Sequence, residues 1–129
     1  MPRSITLTFL WPPKELSPNW TGHYQRKASA TKAYREDCGW MAKTQVQPNQ
    51  DIHTDPPLNS PVLATTTFYV TDKRRRDIGN MEAALKPLWD GIVDAGILAD
   101  DDYKHLRHGE SKVVVGDERR VEVRLEEVE

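Results

Sequence analysis

The chain has 129 residues, 37% hydrophobic and 29% charged, with a formal net charge of -2. That length suits a single domain with one core and excludes two cores. The composition excludes wholesale disorder, and the charge balance excludes a globally basic nucleic-acid binder, so any basic footprint has to be local.

The lone cysteine, Cys38, excludes an intrachain disulfide and fits a reducing compartment. Set among helix formers, it reads as a buried structural thiol rather than a reactive one. Ser4 to Trp11 alternates apolar and polar residues and reads as a first strand. Pro12-Pro13 ends it, because neither residue can donate to a ladder. The apolar run Ile5 to Leu10 is too short for a signal-peptide core or a membrane span, so a cytoplasmic protein without a membrane partner is expected.

Lys14 to Gly22 reads as a loop, and Gln25 to Thr44 as a helix. Ala28, Thr31, Tyr34, Cys38, Met41 and Ala42 recur at helical spacing, with Arg26, Lys32, Arg35, Glu36 and Lys43 on the opposite face. Gly39 costs about 1 kcal/mol in a helix interior and marks a close packing contact. Residues 46–60, rich in proline, asparagine and aspartate, read as a flexible loop within the single domain 1–129.

Pro61 to Thr71 is nearly continuous in strand formers and reads as a central strand. It runs into Asp72 and the basic run Lys73-Arg74-Arg75-Arg76. The run therefore sits at the carboxyl end of a strand, where open α/β sheets place ligands. Ile78 to Ala95 reads as a second helix with Asp77 as its N-cap. Met81, Ala84, Leu85, Leu88, Ile92 and Ala95 form its apolar stripe, and Glu82, Lys86 and Asp90 follow one another at i, i+4 on a polar stripe. Pro87 removes a donor, so the helix kinks or restarts around residues 83–86. Gly96 closes it. Tyr103 to Val115 reads as a third strand, Gly116 to Arg119 as a turn and Arg120 to Val128 as a fourth strand. The last two are expected to form a hairpin at the sheet edge. The expected fold class is α/β, in the order β-α-β-α-β-β, a mixed sheet with two helices packed on it.

Candidate chemistry concentrates between Asp77 and Asp102. Asp77, Asp100, Asp101 and Asp102 are hard oxygen ligands of the kind Mg²⁺ and Mn²⁺ prefer, and the basic run supplies cations for a phosphate backbone. The carboxylates on the two sides of the helix meet only if the chain after Gly96 returns toward the helix start. The bland reading of the same residues is an N-cap, a solvated acidic turn and a solvated basic loop. An EF-hand at Asp100 fails, because its sixth position is His105 and its twelfth is Ser111. His105 and His108 lack a cysteine partner for zinc, and no serine sits in a nucleophile elbow. Trp11, Trp20 and Tyr24 read either as stacking platforms for exposed bases or as packing residues.

On these residues the chain resembles the RusA-type crossover-junction endodeoxyribonucleases, the Holliday-junction resolvases of bacterial prophages. The resemblance rests on Trp11-Pro12-Pro13 with Asn19 and Tyr34-Arg35, on Arg74-Arg75-Arg76-Asp77 with Asn80, on Lys86 with Asp90-Gly91 and Ala95-Gly96, and on Asp100-Asp101. It implies a homodimer that binds four-way DNA junctions and makes paired, symmetric nicks in DNA recombination and repair, using Mg²⁺ or Mn²⁺. It places metal ligands at Asp77 and Asp101 with Asp100 beside them. It gives further catalytic roles to Lys86 and Asn80, and leaves Lys73, Arg74, Arg75, Arg76 and Arg35 to DNA. Where the family carries a further aspartate, this chain has Gly79, which leaves the set one carboxylate short. Asp90, Glu82 and Asp102 are the candidates to replace it. A dimer that binds branched DNA without cutting it is the alternative, and a small structural or regulatory phage protein is a third reading.

Overall fold

A computed structural model of the chain describes residues 2–46 and 57–128. Four strands, β1 (Ser4–Leu10), β2 (Val62–Val70), β3 (Leu106–Val115) and β4 (Arg120–Glu127), form one mixed sheet in the order β1-β4-β2-β3. β4 runs antiparallel to both of its neighbours, and β2 and β3 are parallel. The period-two pattern sorts side chains between the faces. Ile5, Leu7 and Phe9 of β1, Val121, Val123 and Leu125 of β4, and Val62, Ala64, Phe68 and Val70 of β2 are buried. The opposite face carries rows such as Thr8–Glu122–Thr67 and Thr6–Arg124–Thr65.

The expected hairpin of the last two strands is not formed. β4 lies inside the sheet, and β3 occupies the edge, joined to β2 alone. The reason lies in what each strand has to bury. β4 offers three inward side chains that are completely buried and needs partners on both sides. β3 begins Leu-Arg-His-Gly-Glu-Ser-Lys, of which only Leu106 is buried.

Three α-helices among the described residues, α1 (Tyr24–Val46), α2 (Ile78–Ala83) and α3 (Lys86–Asp94), lie on the apolar face with a 3-10 turn at Lys14–Leu16 that buries Leu16. The expected second helix is thus split where the proline required it, with Leu85 as the N-cap of α3 and Pro87 in its first turn. A missing amide costs nothing there, because first-turn amides have no intrahelical acceptor. Gly96, at φ 81°, closes α3: its amide bonds to Val93 O and that of Ile97 bonds to Ile92 O. Cys38 is fully buried, and burial pushes its thiol up to about 12, which keeps it neutral and inert.

Most of the loop expected over 46–60 lies outside the described residues. Val46 belongs to α1, and residues 57–60 are held. Leu58 is buried and its amide bonds to Ile97 O, while the amide of Asn59 donates to Glu127. Glu127 also accepts from the amide and guanidinium of Arg3. Burial alone would raise its carboxyl, but these donors hold it at about 2.

Candidate functional site

The basic run is folded around Asp72. Its Oδ1 accepts from Arg74 N at 3.0 Å and from the Arg76 guanidinium at 2.8 Å, and Arg76 also donates to the carbonyls of Asp72 and Arg74. These bonds hold the Asp72 carboxyl below its usual range, the Arg74 amide contributing most. Arg76 is thereby spent on shaping the loop. Lys73 and Arg75 are exposed and have no ion-pair partner among the described residues. Arg75 and Arg76 share an open recess with Asn19, Asp77 and Asn80. The Asp-x-Arg spacing of a side chain turning back on the amide two residues on was the sequence signal for this loop, and it was missed.

Asp77 caps α2 as expected, its Oδ1 accepting from Asn80 N at 3.2 Å. A Cβ at Gly79 would lie 3.2 Å from that same oxygen. The aspartate turn lies elsewhere on the parallel pair. β2 ends at Val70 beside Val115, whereas the turn feeds into Leu106 beside Val62, so the basic run and the aspartates leave opposite ends. The helical stretch between them links the two. Gly79, Glu82 and Lys86 line one cavity of about 500 Å³ with Thr66, Trp89, His108 and Ser111.

At that cavity the Lys86 ammonium is held by two carboxylates, Asp90 at 3.0 Å and Asp101. The Lys86 bond keeps Asp101 below the usual carboxylate range, and Asp101 in turn raises Lys86. Asp100 Oδ1 accepts from Asp101 N at 2.7 Å and so shapes the turn. Asp102 accepts from the His105 ring and from the amides of Lys104 and His105. Arg35, expected to contact DNA, bonds to Asp94 at 2.7 and 2.8 Å and lies 4.0 Å from Asp90, bracing α1 against α3.

Among the described residues, the group able to bring three ligand atoms within 4.8 Å is Asp100, Asp102 and His105. Asp77, Asp100 and Asp101 do not gather in that way. The Asp77 carboxylate turns to its own helix, and that of Asp101 turns to Lys86.

Two further contacts escaped the sequence. Ser111 donates to Glu82 at 3.0 Å, and His108 meets Trp89 edge-on with ring centroids 4.9 Å apart. Both depend on the register of β3 against β2, which shifts between Ala64 and Thr66. Trp11 packs edge-on against Phe68 under the Arg119 guanidinium, Trp20 lies beneath Arg26, and Tyr24 is exposed and stacked on His23.

No family profile matches the chain. Over 103 residues, 80% of this chain, it is 33% identical to an uncharacterized protein of Xylella fastidiosa (strain Temecula1). The match covers 63% of that protein, so this chain spans less than two thirds of the relative's length. No helix among the described residues is long and apolar enough to cross a membrane.

Proposed function

We propose that this protein is a metal-dependent endonuclease that resolves four-way DNA junctions, acting as a homodimer that nicks two strands symmetrically. The observation that carries the proposal is the placing of Lys86. Its ammonium is held by Asp90 and Asp101, with Asp100 next in the turn, and Lys86 lines a cavity that Gly79 of α2 also lines, while Asp77 and Asn80 at the start of the same helix line the recess of Arg75.

The donor chemistry suits the ion. Asp77, Asp100 and Asp101 offer oxygen only, which Mg²⁺ and Mn²⁺ prefer, but Asp77 caps α2 and Asp101 pairs with Lys86, so an ion shared by the three requires those carboxylates to leave their present partners. A bound ion supplies an activated water and neutralises charge on the leaving oxygen. Lys86 answers the negative charge that develops on the phosphate. Lys73 and Arg75 hold the flanking backbone, and Asn80 orients a neighbouring carboxylate or water. Two copies supply the two sites that paired nicks need.

A second reading, a dimer that binds branched DNA without cutting, is favoured by Gly79 and by the separation of Asp77 from the aspartate turn. A synthetic four-way junction incubated in Mg²⁺ distinguishes them. Cleavage is expected, and Asp101→Asn is expected to abolish it. Binding without nicks at every Mg²⁺ or Mn²⁺ concentration would leave only the second reading. No preference for the junction over duplex at moderate salt would remove both.

A further inference from the structure

The two edges of the sheet are finished differently. At β1, side chains from α1 cap the outward backbone at Thr8 and Leu10. Gln45 accepts from Thr8 N at 2.8 Å and donates to Thr8 O at 2.7 Å, and the Tyr34 hydroxyl donates to Leu10 O at 2.7 Å. At β3, no side chain of the described residues bonds to the backbone of residues 107–115.

β3 is ten residues long, and its last three, Val113, Val114 and Val115, are 39, 38 and 50% exposed. An edge with free amides and carbonyls is a template for another strand, and here its far end is apolar. A lone lysine on such an edge blocks pairing with a second copy by repulsion. Here Lys112 is accompanied by Glu110, with Ser111 between them. Both charges are exposed, and neither has an ion-pair partner among the described residues.

That spacing is self-complementary. The register shift against β2 puts one extra residue at 109–110, so the pairing is centred on residues 110–112: in an antiparallel pair of β3 strands related by a twofold axis through Ser111, Glu110 of one copy stands opposite Lys112 of the other, and the reverse. Every other antiparallel register leaves both charges unanswered by each other. We propose that a second copy of this chain pairs with the first along β3 about an axis at Ser111, joining the two sheets into one. The contact is isologous, so it closes at two copies. Ser111 also lines the cavity that holds Lys86, so the pairing sets two such cavities on either side of the axis. It gives the dimer of the proposed function a surface, but it rests on the edge itself and not on cleavage.

Sedimentation equilibrium of the full chain tests the pairing. The wild type is expected to dimerise. Glu110→Lys and Lys112→Glu each set like charges opposite one another twice, and each is expected to weaken association by about tenfold or more. The double variant restores the complementarity and is expected to recover the dimer. Amide exchange over residues 111–115 is expected to slow as protein concentration rises, a readout that needs no substitution. A chain that stays monomeric, a dimer indifferent to the single swaps, or a double variant that does not recover would each overturn the proposal. A dimer that recovers as expected but never nicks a junction would sink the cleavage proposal alone.

Discussion

Gly91 of α3 lies against the backbone of Gly39 in α1, so closely that a Cβ at Gly91 would stand 2.8 Å from both the Gly39 amide nitrogen and the Arg35 carbonyl oxygen. No flexible side chain is available there to yield, so Gly91→Ala has to move one helix away from the other. The loss is expected to be about 1–3 kcal/mol, outweighing the helix-propensity gain of roughly 1 kcal/mol. The reciprocal Gly39→Ala places its Cβ 3.3 Å from Gly91 O, which a small shift accommodates. Urea denaturation should therefore rank Gly91→Ala as clearly the more damaging. Equal midpoints would mean that the helices do not meet at these two glycines.

Arg75 and Arg76 are adjacent in sequence but differ in surroundings, Arg75 being exposed and Arg76 engaged by its own loop, so on the proposed function their variants should separate. Arg76 bonds to Asp72 and to two loop carbonyls. Arg76→Ala should loosen the loop and weaken junction binding through shape. Lys73→Ala and Arg75→Ala should leave the thermal midpoint unchanged and reduce the salt slope of binding by about one each. A salt slope unmoved by either variant would place the DNA elsewhere.

Lys86 and Asp101 hold each other charged, and the sign of each shift fixes its pH window. The Asp101 carboxyl is held low, so its contribution is present above its ordinary value, about 3.9, and is lost as pH falls through the folded value. The Lys86 ammonium is held high, so its contribution is present below about 10.4 and is lost as pH rises through the folded value. Lys86→Met removes the main cause of the Asp101 shift. Carboxyl NMR should then show Asp101 titrating at higher pH, while the Asp94 carboxyl, held by Arg35, stays low. An unchanged Asp101 titration would show that Lys86 is not its partner in solution.

Local chemistry was legible in the sequence, and long-range pairing was not. The strand β2, the split at Pro87, the Asp77 cap and the closing role of Gly96 each follow from residues within a few positions of one another. The place of β4 does not. Its short connection to β3 suggested a hairpin, and only the burial demand of Val121, Val123 and Leu125 sends it between β1 and β2. The same holds for the site. Lys86 and Asp90 share a helix face and could be paired by spacing, but the meeting of Lys86 with Asp101 depends on how the turn after Gly96 returns. The separation of the basic run from the aspartate turn follows from β2 and β3 being parallel neighbours, which the expected hairpin concealed.

Gly79→Asp tests the proposed metal site by adding a carboxylate to it. The Cβ at this position would approach Asp77 Oδ1 to 3.2 Å, so the new carboxylate comes in beside the old one, and Gly79 also lines the Lys86 cavity. Two carboxylates this close repel each other unless a cation sits between them. The variant should therefore melt at a lower temperature than the wild type in chelator, and Mg²⁺ or Mn²⁺ should restore part of the loss. If the wild-type site cuts poorly for want of a ligand, junction nicking should rise by tenfold or more. If the chain binds without cutting because Asp77 and Asp101 are held apart, the metal-dependent gain in melting temperature should appear with no gain in nicking. Cleavage that is already strong in the wild type and falls in Gly79→Asp would show that the glycine belongs to a working site.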